Sequence, residues 1–244
     1  MVARLGAVVN PSDVVEEEAA RVRQIYAERR ERGAHAAFHP LLPTSIIGHA
    51  GMLLAWSRAL ADRPVAADGP VLELGCGRGA WLRQMLDWGL PPEQAHGIDL
   101  LTERIEEARA LAPATMDLRE GNGLALPYAD AHFGIVYAQT VFSSILDPDL
   151  RRQLAGEMTR VVKPEGRMLV FDFRYDNPRN RNVTRITAAE IRRLFPGKRV
   201  RRWTLTLVPP LARRLTPLCP WLAFAIERLC PPLRSHALYL IEGG

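Results

Sequence analysis

Glu73 stands two residues before the first of three alternating glycines, Gly75, Gly77 and Gly79, in the run Val-Leu-Glu-Leu-Gly-Cys-Gly-Arg-Gly-Ala-Trp at 71–81. Glycines at these positions remove the Cβ that would hold a ligand off the backbone, and they admit positive φ. The apolar run before them, 71–74, reads as a buried strand, and the periodic segment after them, 80–88, reads as a helix. Strand, glycine turn and helix is how an α/β fold brings bare backbone against a nucleotide-like ligand. The same glycines also fit the dinucleotide form G-x-G-x-x-G/A. In that form, however, the loop and helix N-terminus receive a pyrophosphate, which a neighbouring carboxylate opposes. Glu73 suits a ligand that carries an ammonium group and no phosphate.

The elements that must hold this loop follow from the hydrophobic pattern. Strands are expected at 70–75, 95–99, 114–119, 133–138, 166–173, 200–208 and 236–242, and helices at 79–88, 102–111, 149–162 and 187–195. Their alternation predicts a parallel sheet covered on both faces, with the ligand outside the carboxyl ends of the strands. Ahead of the first strand, 14–32 reads as a charged helix and 44–60 as a more apolar one, followed by a polar linker at 61–69.

The first glycine motif resembles E/D-x-G-x-G-x-G of class I S-adenosylmethionine-dependent methyltransferases. The resemblance continues in order through His96-Gly-Ile-Asp-Leu100, Glu120-Gly-Asn-Gly-Leu-Ala-Leu-Pro-Tyr-Ala-Asp130, Phe133-Gly-Ile-Val-Tyr-Ala138 and Arg160-Val-Val-Lys-Pro-Glu-Gly166. It implies a Rossmann-like, seven-stranded, mostly parallel sheet with an antiparallel last strand, helices on both faces and an N-terminal helical lid. The implied organisation is a lid at 1–62 and a methyltransferase domain at 63–244, with an apolar insertion at 209–234 between the last two strands.

The implied cofactor is S-adenosyl-L-methionine. Gly75, Gly77 and Gly79 would approach its methionine part, and Glu73 would attract its ammonium. Asp99 would accept both ribose hydroxyl protons, since a carboxylate only accepts. Asn122 stands where the family usually has Asp facing the adenine amino group, and its amide oxygen can still accept that bond. Leu124 would pack on the adenine face, with Leu100, Gly123 and Gln139 completing the site.

Methyl transfer from a sulfonium is an in-line displacement in which the protein orients and desolvates the reactants. A base is needed only where the acceptor must lose a proton. The topology nominates His236 and Asp172 as acid/base residues. Arg174, Tyr175, Phe142 and Ser143 lie at the same sheet edge, His35, His39 and His49 on the lid, and the 209–234 insertion is a candidate wall of the acceptor pocket. The C-terminal half, including Tyr-Asp-Asn-Pro-Arg-Asn and Leu-Arg-Ser-His, resembles a bacterial subgroup tied to polysaccharide and secondary-metabolite pathways. The expected acceptor is therefore a small molecule, glycan-related, lipid-linked or a natural product, methylated on oxygen or nitrogen.

Composition bounds these expectations. The chain has 244 residues, 48% hydrophobic and 24% charged, with a net charge of +5, which is ordinary for a globular protein. Residues 151–214 hold 17 Lys and Arg against 5 Asp and Glu. Such a region can meet phosphates, nucleic acid or an anionic membrane, yet only Lys163 and Lys198 of the 32 basic residues are lysines, which points to a chain-wide arginine bias. Three cysteines supply no disulfide framework, and no metal-ligand spacing is visible, so the expected metal is none. The apolar region 215–226 is too short to span a bilayer, which needs roughly 20 residues. A cytoplasmic protein follows, with peripheral membrane contact open and no stable nucleic-acid partner. The competing functions are an RNA or protein methyltransferase, favoured by the basic region, a non-catalytic cofactor-binding protein, and a nicotinamide oxidoreductase, which Glu73 opposes.

Overall fold

The computed structural model describes residues 11–31, 39, 41–178 and 180–243. Val71–Leu74 (β1) is buried at all four positions, the signature of a parallel strand covered on both faces. Around it run β2 (Ala95–Asp99), β3 (Asp117–Glu120), β4 (Phe133–Gln139), β5 (Val162–Phe173), β6 (Arg199–Leu207) and β7 (Arg234–Glu242). They form one sheet in the order β3-β2-β1-β4-β5-β7-β6. β7 runs antiparallel to both β5 and β6, and the remaining pairs are parallel. The order reverses between β1 and β4, where ligands of open α/β sheets bind.

The helices are α1 (Pro11–Glu31), α2 (Pro43–Ala59), α3 (Val65–Asp68), α4 (Ala80–Asp87), α5 (Thr102–Leu111), α6 (Pro148–Val161), α7 (Ala188–Leu194), α8 (Pro209–Leu215) and α9 (Pro220–Leu229). Trp56 of α2, Leu82 and Met85 of α4 and Ile105 of α5 pack one face with Tyr137, Leu169 and Leu238. Leu154 and Met158 of α6 and Ile191 of α7 pack the other with Val136, Val170 and Tyr239. Trp56 meets Tyr137 edge-on at 4.7 Å between ring centroids. α2 is thus a core helix of the sheet, and α1 alone of the first two helices lies across the carboxyl edge.

Two strands start three or more residues away from their expected bounds, and the others fall within two. β3 starts at Asp117 rather than 114, because the Met116 amide closes a turn on the Pro113 carbonyl at 3.0 Å. β5 starts at Val162 rather than 166: Val162 pairs with Phe133, and the register then jumps to Ile135 against Arg167, so Lys163–Gly166 bulges out of the ladder. The insertion at 209–234 folds as α8, α9 and a short 3-10 turn at Pro231–Leu233.

Candidate active site

The glycine loop leaves β1 with φ of +64° at Gly75, +53° at Gly77 and +66° at Gly79, conformations that only glycine adopts without strain. A Cβ on Gly75 would stand 2.7 Å from Cγ2 of Val141. The loop is fixed from β2: the Gly77 amide donates to Asp99 Oδ2 at 2.7 Å, and the Leu101 amide to Asp99 Oδ1 at 3.0 Å. Burial raises the Asp99 carboxyl, against these two backbone bonds and Arg104, which lower it. Each carboxylate oxygen keeps a second lone pair for a ligand hydroxyl.

Glu73 sits beneath the loop, 3% exposed. Its Oε2 is buried without a hydrogen-bond partner. Burial first, and the Asp99 charge second, push its carboxyl well above the usual range, while the Leu82 amide and Arg83 pull the other way. A buried acceptor of this kind costs free energy until a donor or a positive charge reaches it. The same two carboxylates and burial push the Cys76 thiol up, so Cys76 is an inert packing residue.

These residues open into a cavity of about 430 Å³. Glu73, Gly75, Gly77, Asp99, Leu100, Asn122, Gly123, Leu124 and Gln139 all line it. Gly79 does not; it is the N-cap of α4. Asn122 Oδ1 accepts the Leu124 amide at 3.0 Å, so its carbonyl already holds the turn, and its NH₂ group is the part left for a ligand. Gln139 is held by the Tyr137 hydroxyl, which donates to its Oε1 at 2.7 Å. The polar set fits an adenosyl group joined to an amino acid: a buried carboxyl with one unpartnered oxygen for an ammonium, a carboxylate at a strand end for hydroxyls, and an apolar shelf at Leu100 and Leu124 for a flat base.

A helical lid over 1–62 is expected from the sequence, which does not single out the residues that complete the lining. Val15, Glu18, Ala19, Val22, Tyr26 and Arg30 of α1 roof the cavity, and Thr140, Val141, Ser144 and Ile145 wall it after β4. Val15, Ala19, Val22 and Tyr26 recur at helical spacing, a stripe the sequence shows without saying what it covers. Thr140 adopts φ +54°, strain for a β-branched residue of the kind that gathers at functional sites.

The structure does not bring the two nominated acid/base residues to this cavity. His236 is 9% exposed and lies against Phe171 and Phe173, with ring centroids 5.0 and 4.4 Å away. Burial lowers its pKa to about 4, and its Nδ1 meets Ser235 Oγ at 2.8 Å. Asp172 is fully buried and accepts the amides of Ser143 at 3.0 Å and Phe173 at 2.9 Å. His236 pairs with Phe173 and Asp172 with Ala237, so the two side chains sit on opposite faces of the sheet. Phe142 and Ser143 are buried behind the cavity wall. Arg174 donates to the Pro231 and Arg234 carbonyls, and the Tyr175 hydroxyl to that of Pro232, tying β5 to the insertion. His39 Nδ1 accepts the Leu41 amide at 3.2 Å, and His49 lies 5.4 Å from Trp81 between ring centroids. His35 falls outside the described residues. No residue of 209–234 lines the cavity, so the insertion is not its wall. Among the described residues no group of three His, Cys, Asp or Glu is placed to hold a metal.

Residues 71–166 match a family described as a methyltransferase domain. A demethylmenaquinone methyltransferase of Deinococcus radiodurans is 30% identical over 127 residues, which are 50% of this chain and 51% of that protein. The chain spans about half the length of the curated relatives it matches. A chain from the complex between the Haloferax volcanii Trm112 methyltransferase activator and a methyltransferase superimposes with a TM-score of 0.61 at 22% identity, over 93% of this chain and 97% of that one. An S-adenosylmethionine-dependent methyltransferase of Mesorhizobium loti does so at 0.56 and 16%, over 77% and 96%. Residues 71–166 thus match a methyltransferase-domain family, and the chain shares the fold of these solved structures.

Proposed function

We propose that the chain carries a class I methyltransferase domain, which transfers a methyl group from S-adenosylmethionine to oxygen or nitrogen of a small, largely apolar acceptor. The observation that carries the reading is Glu73 Oε2, buried without a partner beside a glycine loop. The cofactor's ammonium would supply the missing charge, Asp99 would accept from its ribose, and Asn122, Leu100 and Leu124 would hold its base. When bound, the cofactor contributes an activated methyl group with a neutral leaving group. The protein's part is then to orient the acceptor and exclude water.

The cavity wall argues for the acceptor class. Val15, Ala19, Val22, Val141 and Ile145 are apolar, and among the described residues no His, Lys or free Cys thiolate lines the cavity to take up a proton. Such a wall suits an acceptor whose nucleophilic atom needs no strong base. The name of the curated relatives, demethylmenaquinone methyltransferase, also gives a small-molecule substrate. Against a nucleic-acid substrate, many arginines of the basic region are paired within the fold: Arg151 with Glu190, Arg160 with Glu157 and Asp130, Arg167 with Asp68, and Arg201 with Glu242.

Calorimetry with S-adenosylhomocysteine tests the reading. Binding an ammonium beside Glu73 should drive off the proton that its raised pKa retains in the free protein. Affinity should therefore rise with pH toward that pKa, and the heat should vary with the ionisation enthalpy of the buffer. Glu73→Gln should abolish the proton release, and Asp99→Ala should weaken binding by about 1.5–3 kcal/mol, the cost of charge-assisted hydrogen bonds. Tighter binding of a nicotinamide dinucleotide than of S-adenosylhomocysteine would overturn it.

A further inference from the structure

α9 shows its inner face to the fold and an apolar face to solvent. Ala223 and Glu227 are its buried residues. The Glu227 carboxylate accepts the amides of Thr206 and Leu207, each at 3.1 Å, and so clamps the helix onto β6. On the opposite side Trp221 is 81% exposed and Leu229 80%, Leu222 is exposed beside them, and Leu218, in the turn leading into the helix, is 83% exposed. Trp221, Leu222, Ala225 and Leu229 recur at helical spacing, so they form one stripe. A tryptophan and three leucines facing water on one short unit is unusual for a surface that nothing covers.

The charges around the stripe are of one sign. Arg213 and Arg214 end α8 and Arg228 ends α9, all three exposed. The only acidic residue of 209–234 is Glu227, and it is consumed inside the fold. Arg234 is turned inward, donating to the carbonyls of Glu227 and Arg228. The exposed surface is thus an apolar stripe among uncompensated guanidinium groups. Tryptophan, leucine and arginine in this arrangement match the acyl–headgroup boundary of an anionic membrane. No described helix is long and apolar enough to cross a bilayer, so the contact is peripheral.

We propose that the α8–α9 hairpin docks the protein on an anionic lipid surface, with Leu218, Trp221, Leu222 and Leu229 entering the interface and Arg213, Arg214 and Arg228 meeting lipid phosphates. β6 runs parallel to β5, so the hairpin that follows it hangs from the carboxyl edge of the sheet, the edge onto which the cavity opens. Docking therefore places that edge toward the lipid. The inference stands on this surface and is tested without cofactor or acceptor, so it does not fall with the methyl-transfer reading.

The test is co-sedimentation of the whole protein with phosphatidylcholine vesicles, with and without phosphatidylglycerol. Wild type should bind the anionic vesicles, bind neutral ones far more weakly, and lose binding as salt rises. The double variant Trp221→Ala, Leu229→Ala should lose tenfold or more in partitioning, and Arg213→Gln, Arg214→Gln, Arg228→Gln on the order of 100-fold. Both should keep the wild-type melting temperature, because these side chains are exposed. Cys219 and Cys230 flank α9 and are exposed, whereas Cys76 is buried. An environment-sensitive thiol dye on them should shift to the blue with anionic vesicles. Failure to bind anionic vesicles overturns the proposal. So does a large fall in melting temperature on Trp221→Ala, or a concentration-dependent dimer that Trp221→Glu disperses, which would make a second copy the occupant.

Discussion

His236 and Asp172 illustrate how burial turns plausible acid/base residues into structural ones. Each was a reasonable nominee at the carboxyl edge, yet each is enclosed and hydrogen-bonded to its own neighbourhood. Their ionisation still matters, for stability. Burial lowers His236 to about 4, below the unfolded value near 6.5. The unfolded chain then binds the extra proton first, so this group's contribution is full above about pH 6.5 and is lost as pH falls toward 4, by roughly 3 kcal/mol at most. Burial raises Asp172 to about 7, with Ser143 and Phe173 opposing it. Its folded pKa is raised, so its contribution is full below the unfolded value near 3.8 and is lost as pH climbs through 7. The two slopes oppose each other between pH 4 and 6.5. Measured against wild type, His236→Phe should tilt the stability profile downward with rising pH, and Asp172→Asn should tilt it upward. Denaturant titrations from pH 4 to 8 check this, and parallel profiles for wild type and both variants would refute the burial argument.

At the scale of elements, a few buried polar clamps decide where the pieces sit. Arg167 on β5 is 3% exposed and donates to the Asp68 carboxylate and the Arg63 carbonyl. It thereby fastens α3, and the entry to β1, across the sheet. Arg63 also pairs with Asp68, from the partly exposed side, so Arg167→Ala leaves that buried carboxylate under-compensated rather than bare and should cost about 2–3 kcal/mol, less than the ~3–5 kcal/mol of a fully stripped buried charge. Asp68→Asn combined with Arg167→Met should recover part of that loss in a denaturant melt, and equal loss in both would rule out the unpaired charge as its cause. The sheet itself was legible, because short apolar runs such as 133–138, and 71–74 with Glu73 alone interrupting it, leave little choice but a buried parallel strand. The glycine loop and Glu73 were legible because they adjoin in sequence, and Asp99 because it ends β2, the parallel strand beside β1. His236 and Asp172 were not, because the face a strand residue occupies depends on its pairing partner. In α9 the apolar content read as a pocket wall, but Glu227 occupies the inward face and turns the leucines outward. Only the backbone amides of Thr206 and Leu207, distant in sequence, decide that.

For the whole molecule the decisive question is how a ligand reaches a cavity that α1 roofs. α1 is strapped at both ends. Toward its start, Glu18 accepts the Leu146 amide at 2.8 Å, and Arg21 bonds Glu18 at 2.7 Å and the Ser144 carbonyl. Toward its end, Arg30 pairs with Glu103 at 3.0 Å, and Arg104 lies 4.4 Å over the Tyr26 ring. The two straps are unequal. Arg30 and Glu103 are about half exposed, and such pairs contribute roughly 0–1 kcal/mol. Glu18 is mostly covered, and although burial works to raise its carboxyl, Arg21 and the Leu146 amide outweigh it and hold it below the ordinary value. A charge-assisted bond of that kind is worth about 1.5–3 kcal/mol. If α1 must lift for exchange, Glu18→Ala should speed release of S-adenosylhomocysteine by on the order of 10-fold or more, and Arg30→Ala by less than about fivefold. Because the folded pKa of Glu18 is lowered, its strap is complete above the unfolded value near 4.5 and weakens as pH falls below it. Wild-type release should therefore accelerate in acid, while release from the Glu18→Ala variant should lose that component. Stopped-flow displacement between pH 4 and 7 measures both effects, and an unchanged release rate in Glu18→Ala would show that exchange does not pass beneath α1.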